Sequence, residues 1–263
     1  MRCRACALAY SDPPRRRDVV RGDYEHLYEL DAIVARLAGR RLAVFADFFE
    51  RVRPTAGGRL LDVGCGTGDF LLLARDRGWH PTGIDFSERA TARACERGLD
   101  ARTSWEGLPS EAFDAVTLWN VVELLERPLE MLSDVRRVLA PGGRVFIRTP
   151  NERFQLAAYR WHRRLAWCRP LARVLGDAYY FHPVLWSSHT LAAALARSGF
   201  VEIGLWNSQP STGDPYRIRS PRREAAVHAA KRLLHAGARG AGAATRGRVL
   251  VGSSLAALAR KPA

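Results

Sequence analysis

The run Leu60-Leu61-Asp62-Val63-Gly64-Cys65-Gly66-Thr67-Gly68-Asp69 constrains this chain more than any other segment. An apolar strand breaks into a turn with glycine at every second position, then restarts as an amphipathic helix from Phe70. Glycines at 64, 66 and 68 open backbone conformations closed to residues with side chains, and they let the main chain come close to a ligand. Asp69 opens the helix, leaving its first backbone N–H groups directed at whatever occupies the turn. A strand, glycine turn and helix in this order predict a ligand at the carboxyl end of a strand in a parallel sheet.

Two kinds of nucleoside site use such a turn, and the spacing separates them. The dinucleotide fingerprint is G-x-G-x-x-G, whose last glycine lets the helix pack closely beside a pyrophosphate. Here the pattern is Gly64-x-Gly66-x-Gly68, with Asp62 before it and Asp69 after it. Carboxylates on both sides disfavour a pyrophosphate and favour a ligand bearing an ammonium group. The next strand, Pro81 to Asp85, ends in an acid suited to accept hydrogen bonds from both ribose hydroxyls, a feature common to both kinds of site.

Four segments in order carry a family resemblance: Leu61 to Gly68, Gly83-Ile84-Asp85-Phe86-Ser87, Phe113 to Trp119, and Leu139-Ala140-Pro141-Gly142-Gly143-Arg144-Val145. Together they resemble the motifs of class I S-adenosylmethionine-dependent methyltransferases over roughly residues 58 to 150. The resemblance implies S-adenosylmethionine as cofactor. It assigns the donor's amino-acid end to Asp62 and the backbone of Gly64, Cys65, Gly66 and Gly68, the ribose to Asp85, and the adenine border to Phe86. Thr103 to Pro109 is expected to line the adenine, with Ser104 where many relatives carry an acid and Trp105 beside it. Trp119-Asn120-Val121-Val122-Glu123-Leu124-Leu125 resembles a family segment of the form His-Val-Leu-Glu-His. Asn120 and Leu124 replace its histidines while Glu123 remains, as a catalytic candidate or an arginine-paired anchor.

The rest of the chain alternates strands and helices, predicting a mostly parallel α/β sheet with helices on both faces, and the resemblance implies that this sheet is Rossmann-like and seven-stranded with an antiparallel last strand. That fold gathers Gly64, Asp85, Ser104, Trp119 and Asn120 around one crevice. Residues 1–22 are expected to be a tail, 23–56 a helical cap with a break near Gly39, and 57–263 the methyltransferase domain. Residues 151–186 form a substrate-covering insertion rich in aromatic residues and arginine. A basic amphipathic helix is expected near Glu224 to His235, followed by a flexible Gly/Ala stretch; packing on the sheet is favoured over contact with a membrane surface.

With both histidines absent, a general base is sought in the insertion, where His182 follows Tyr179-Tyr180-Phe181 and His189 opens the next helix. Tyr180 and Tyr179 are candidates to orient a hydroxyl. His162 and its flanking arginines suit either a substrate anion or a solvated helical face.

Cys3-x-x-Cys6 looks like the second half of the N-terminal zinc ribbon found in some of the resembled enzymes. Without a second pair or a Cys-His partner no bound metal is expected, and the segment is predicted to be a loose tail with reduced thiols. The net charge of +14 comes from arginine spread along the chain with no base-stacking pattern, which argues against a nucleic-acid partner. No apolar run reaches the roughly 20 residues of a membrane span and no secretion signal opens the chain, so a cytoplasmic monomer or homodimer is expected.

The expected function is methyl transfer to a small-molecule acceptor, by O-methylation of a hydroxyl in secondary metabolism. Alternatives are C-methylation of a sugar, quinone or polyketide-like acceptor, a non-catalytic cofactor-binding scaffold, RNA modification, and a nicotinamide oxidoreductase.

Overall fold

The computed structural model describes residues 1–11, 42–54, 57–169, 172, 176, 179, 182–210 and 221–263. The expected linker, the helix before Gly39, Tyr180 and the turn-rich stretch at 211–220 lie outside them.

Alternation along the strands sorts side chains onto two faces. In β2 (Arg59–Val63), Leu61 and Val63 face one side and Leu60 the other. The same parity holds in β5 (Phe113–Trp119) and in β6 (Leu139–Pro150), where Val145 and Ile147 oppose Phe146. The first face is covered by α4 (Pro128–Val138) and α6 (Ser188–Arg197), through Val135, Val138, Leu191 and Leu195. The second is covered by α1 (Leu42–Phe49) and α2 (Asp69–Arg75), through Phe45, Phe48 and Phe70. Residues 42–49 of the expected cap therefore pack on the sheet, reaching Trp119 at its carboxyl edge.

The sheet runs β4 (Asp100–Arg102), β3 (His80–Ile84), β2, β5, β6, β9 (Ser254–Arg260), β8 (Val201–Asn207). The pairs among β2 to β6 are parallel, and β9 is antiparallel to both neighbours. The winding reverses between β2 and β5, which opens a crevice beyond their carboxyl ends. Helix α3 (Glu88–Glu96) is capped by Ser87, whose hydroxyl accepts from Ala90 N at 3.1 Å. Helix α5 (Glu152–Arg164) is capped by Asn151, and α6 by a Ser187/Thr190 capping box.

Two expectations fail. The N-terminus is no loose tail: β1 (Ala9–Tyr10) pairs antiparallel with β7 (Val184–Leu185), and Cys3 N donates to Leu8 O at 2.8 Å. Leu8 packs against the main core, and Arg2 pairs with the buried Glu152. Apolar burial and a charge pair thus anchor a segment too short to show periodicity. The C-terminal helix α7 (Pro221–Ala244) also continues through the Gly/Ala stretch expected to be flexible. Its alanines favour helix, and Gly242 lets it lie against Asn207, whose amide donates to Ala238 O at 2.8 Å.

Candidate functional site

The glycine turn is built as its sequence requires. Gly64, Gly66 and Gly68 have φ of 77°, 54° and 84°. A Cβ on Gly64 would lie 2.5 Å from Val121 Cγ2, so this glycine also brings the turn against the segment following β5. Gly64 N and Cys65 N donate to Ile84 O at 2.7 and 3.0 Å, binding the turn to the end of β3. Gly68, not Asp69, is the residue preceding α2; Asp69 is its first residue and pairs with Arg97 at 2.8 Å.

Two buried carboxylates flank the turn. Asp62, 1% exposed, accepts from Thr117 Oγ1 at 2.6 Å across the β2–β5 pair. Asp85, 5% exposed, accepts from Gly66 N at 2.9 Å and Ser87 N at 3.0 Å, joining the turn to the cap of α3. Burial, reinforced by the negative charges of Asp62 and Asp85, pushes the Cys65 thiol far up, so it stays neutral. Left-handed glycines and paired acids make a small cradle of negative potential. It fits a cationic amino-acid ligand joined to a nucleoside and does not fit a pyrophosphate.

Beyond β5 the chain turns at Asn120, whose φ of 61° is left-handed, a conformation asparagine tolerates better than most residues. A 3₁₀ turn, Val122–Leu124, then carries Glu123 into the interior at 1% exposure. Its carboxylate accepts from Asn120 Nδ2 at 2.9 Å and Thr149 Oγ1 at 3.0 Å. Arg148 donates to Asn120 Oδ1, and its other contacts reach Ser208 Oγ at 3.1 Å and Ser254 Oγ at 3.1 Å. Burial raises Glu123 to about 7, opposed by its hydrogen bonds and by the Arg148 charge. The anticipated arginine partner is therefore reached through Asn120, and one polar network closes the ends of β5, β6, β8 and β9.

The outer wall rises from the end of β6. Asn151 bridges to Trp186, whose indole donates to Val122 O at 3.1 Å. His182 lies just before β7 and is half-buried, whereas His189 is exposed in the first turn of α6. On α5, His162 Nδ1 meets Tyr179 Oη at 2.8 Å, and the Tyr159 and Tyr179 rings pack edge to face at 5.5 Å. Of the expected donor contacts, Phe86 stands 38% exposed after β3, Ser104 is exposed, and Trp105 packs partly buried on the main core. Trp119 sits within the aromatic cluster of Phe45, Phe70 and Phe146, at centroid distances of 4.9, 5.1 and 4.8 Å.

Glu123, Asn120 and the glycine turn thus come together, while Trp119 faces the core beneath them. Thr117, Arg148, Thr149 and Trp186 also shape this region and were not anticipated. The available signal was an arginine at the end of an otherwise apolar central strand. Among the described residues, no group of three or more metal-ligating side chains occurs, and no helix is long and apolar enough to cross a membrane.

Comparison with known proteins agrees with this geometry. Residues 30–203 match a family model described as a methyltransferase domain. A ubiquinone biosynthesis O-methyltransferase of Dechloromonas aromatica is 34% identical over 40% of this chain and 50% of its own length. A phosphatidylethanolamine N-methyltransferase of Cereibacter sphaeroides is 33% identical over 57% of this chain and 87% of its own. The chain thus spans about half the length of the ubiquinone-pathway relative. In fold, it resembles a SAM-dependent methyltransferase of Archaeoglobus fulgidus, with a TM-score of 0.53 at 21% identity over 84% of this chain and 94% of that one. With its motif order, sheet topology and glycine turn in agreement, the chain belongs to the class I S-adenosylmethionine-dependent methyltransferases, enzymes that draw their methyl group from that donor.

Proposed function

We propose that this enzyme methylates a hydroxyl on a small acceptor with an apolar or aromatic body. The observation that supports it is the aromatic cluster of the segment after β6, where Tyr159 and His162 of α5 meet Tyr179, which we read as the acceptor wall. The name of the ubiquinone-pathway relative supports an acceptor of this kind. A second reading, methylation of an amine, draws support from the lipid N-methyltransferase that the chain matches over 87% of its length.

The bound donor supplies an electrophilic methyl carbon on a positively charged sulfur. Asp62 and the Gly64–Gly68 backbone hold its amino-acid end, Asp85 its ribose, and Phe86, Ser104 and Trp105 border its base. Asn120, fixed by Glu123 and Arg148, frames the opening between donor and acceptor. With the donor bound, its sulfonium would supply the methyl group to the acceptor oxygen, and His182 would take the hydroxyl proton, with Tyr180 and His189 as further candidates. Alignment of the two reactants supplies most of the acceleration. A positioned base adds roughly 10²- to 10⁴-fold.

The test is methyl incorporation from labelled donor into a panel of alkyl-substituted phenols and catechols beside primary amines, amine-bearing phospholipid included. Phenolic products are expected, and His182→Ala is expected to lower kcat by about 10²-fold while leaving donor affinity unchanged. Incorporation confined to amines would replace the hydroxyl reading with the second one. Unchanged kcat in the variant would remove His182 as the base.

A further inference from the structure

The last turn of α5 and the residues just after it carry a surface that donor binding and methyl transfer do not use. Trp161 is 53% exposed and Trp167 80% exposed, and they are flanked by exposed Arg160, Arg163, Arg164 and Arg169. No aspartate or glutamate occurs from residue 153 to 169, and no ion pair joins these four arginines to an acid among the described residues. Arg160, Trp161, Arg163 and Arg164 occupy the last turn of α5, and Trp167 and Arg169 follow within five residues of its end, so the basic and aromatic groups form one exposed patch. The opposite side of α5 is fixed: Gln155 and Ala158 are buried, and Asn151 caps the helix start. The patch therefore stands on a rigid support.

Two exposed indoles among guanidinium groups that have no acid partner among the described residues are costly to leave in water and are adapted to a boundary that is apolar on one side and charged on the other. The Arg164 guanidinium lies 5.7 Å from the centroid of the Trp161 ring, and that of Arg163 lies 6.0 Å from the centroid of Tyr159. Each arginine thereby keeps its charge beside an aromatic surface, as a side chain at a lipid headgroup must. A single-stranded nucleic acid also favours arginine and aromatics, but it needs rings set along a groove that tracks its backbone. Here one ring is on the last turn of α5 and the other lies three residues beyond its end.

We infer that the Arg160–Arg169 patch is a docking surface for an anionic lipid bilayer, holding the mouth of the acceptor crevice against the membrane. Helix α5 leaves the carboxyl end of β6, so this contact places the acceptor side of the enzyme toward the lipid. The inference rests on the reading of the acceptor as apolar: such a molecule is concentrated in the bilayer and reaches the crevice without crossing water.

The test is co-sedimentation of the full chain with vesicles of phosphatidylcholine alone or with about a third phosphatidylglycerol, at low and high salt. Binding to the mixed vesicles alone, weakened by salt, is expected. The W161S/W167S double variant is expected to lose at least about tenfold in partitioning and R163Q/R164Q about fivefold per arginine, with unchanged melting temperature and donor affinity. Absence of binding to anionic vesicles, or undiminished binding by W161S/W167S, would overturn the proposal. So would tighter, tryptophan-dependent binding to single-stranded RNA. Turnover of detergent-dispersed phenols separates the two readings: if vesicle binding fails while phenols are methylated, the membrane inference alone falls. If vesicle binding holds while only water-soluble amines are methylated, the acceptor reading falls and the surface stands.

Discussion

Glu123 is the residue whose chemistry departs furthest from its ordinary state. A carboxylate 1% exposed, with a folded pKa raised to about 7 from 4.5, is held more stably protonated than charged. A raised folded value means that its contribution to stability is complete below about 4.5, where the unfolded carboxyl is also protonated, and is lost as pH rises through about 7. The difference corresponds to about 3 kcal/mol over that window. The wild-type melting temperature is therefore expected to fall between about pH 5 and about pH 8, and that of Glu123→Gln to fall less. Parallel pH profiles from thermal melts of the two proteins would show that this carboxyl does not titrate there. Asp85 acts through its hydrogen bonds, because its oxygens satisfy Gly66 N–H and Ser87 N–H. Removing it in Asp85→Ala leaves two buried donors unpaired, at about 1–3 kcal/mol for each unsatisfied group. Donor affinity by calorimetry is expected to weaken by at least about tenfold, with a lower melting temperature, because the same carboxylate shapes the turn.

Among the elements, the turn between β2 and α2 was legible in the sequence because its requirement is local: three backbone positions need positive φ, and three glycines at alternating positions supply them. The turn after β5 makes the same demand once, at Asn120, and meets it with a side chain that is also needed as a hydrogen-bond partner. That second function was not legible, because Asn120 follows β5 and Arg148 lies on β6, and they meet only when the two strands pair. Motif comparison likewise marked residues 120 and 124 as lost histidines, and could not show that Asn120 had become the centre of another network. Glycine and alanine separate its two functions. Asn120→Gly keeps the left-handed turn and loses the network, whereas Asn120→Ala loses the network and adds roughly 1 kcal/mol of backbone strain. Both variants are expected to be less stable in denaturant melts, with Ala below Gly. The reverse order would mean that the turn carries no strain. The length of α7 is not legible for a related reason: glycine disfavours an isolated helix, yet Gly242 permits the close approach of this one to Asn207 at the end of β8.

Across the whole molecule, chain order and spatial order part company most at the N-terminus. Residues 1–11 add no strand to the main sheet, yet β1 pairs with β7 and Arg2 reaches Glu152, 150 positions away. A two-residue strand has no periodicity to read, and its partner lies in a segment that looks irregular in sequence, so only the folded chain reveals the contact. The pairing bears on function because β7 runs directly into Trp186, whose indole is bonded to Val122 O beside Glu123. Glu152 is buried, with one oxygen on Arg2 and the other without a partner among the described residues. Arg2 is half exposed, which screens the pair and holds its contribution to about 1–2 kcal/mol, below that of a fully buried one. Arg2→Ala is therefore expected to lower the melting temperature by about 2–6 °C. Replacing Glu152 by Gln removes the buried charge that Arg2 offsets, so R2A/E152Q is expected to be less destabilised than the sum of the single changes in a double-mutant cycle. If the clasp positions the acceptor wall, KM for the acceptor rises in Arg2→Ala while donor affinity stays constant, since the glycine turn and Asp85 are on the far side of the network. A loss shared equally by donor and acceptor would instead mark the clasp as a support for the whole fold.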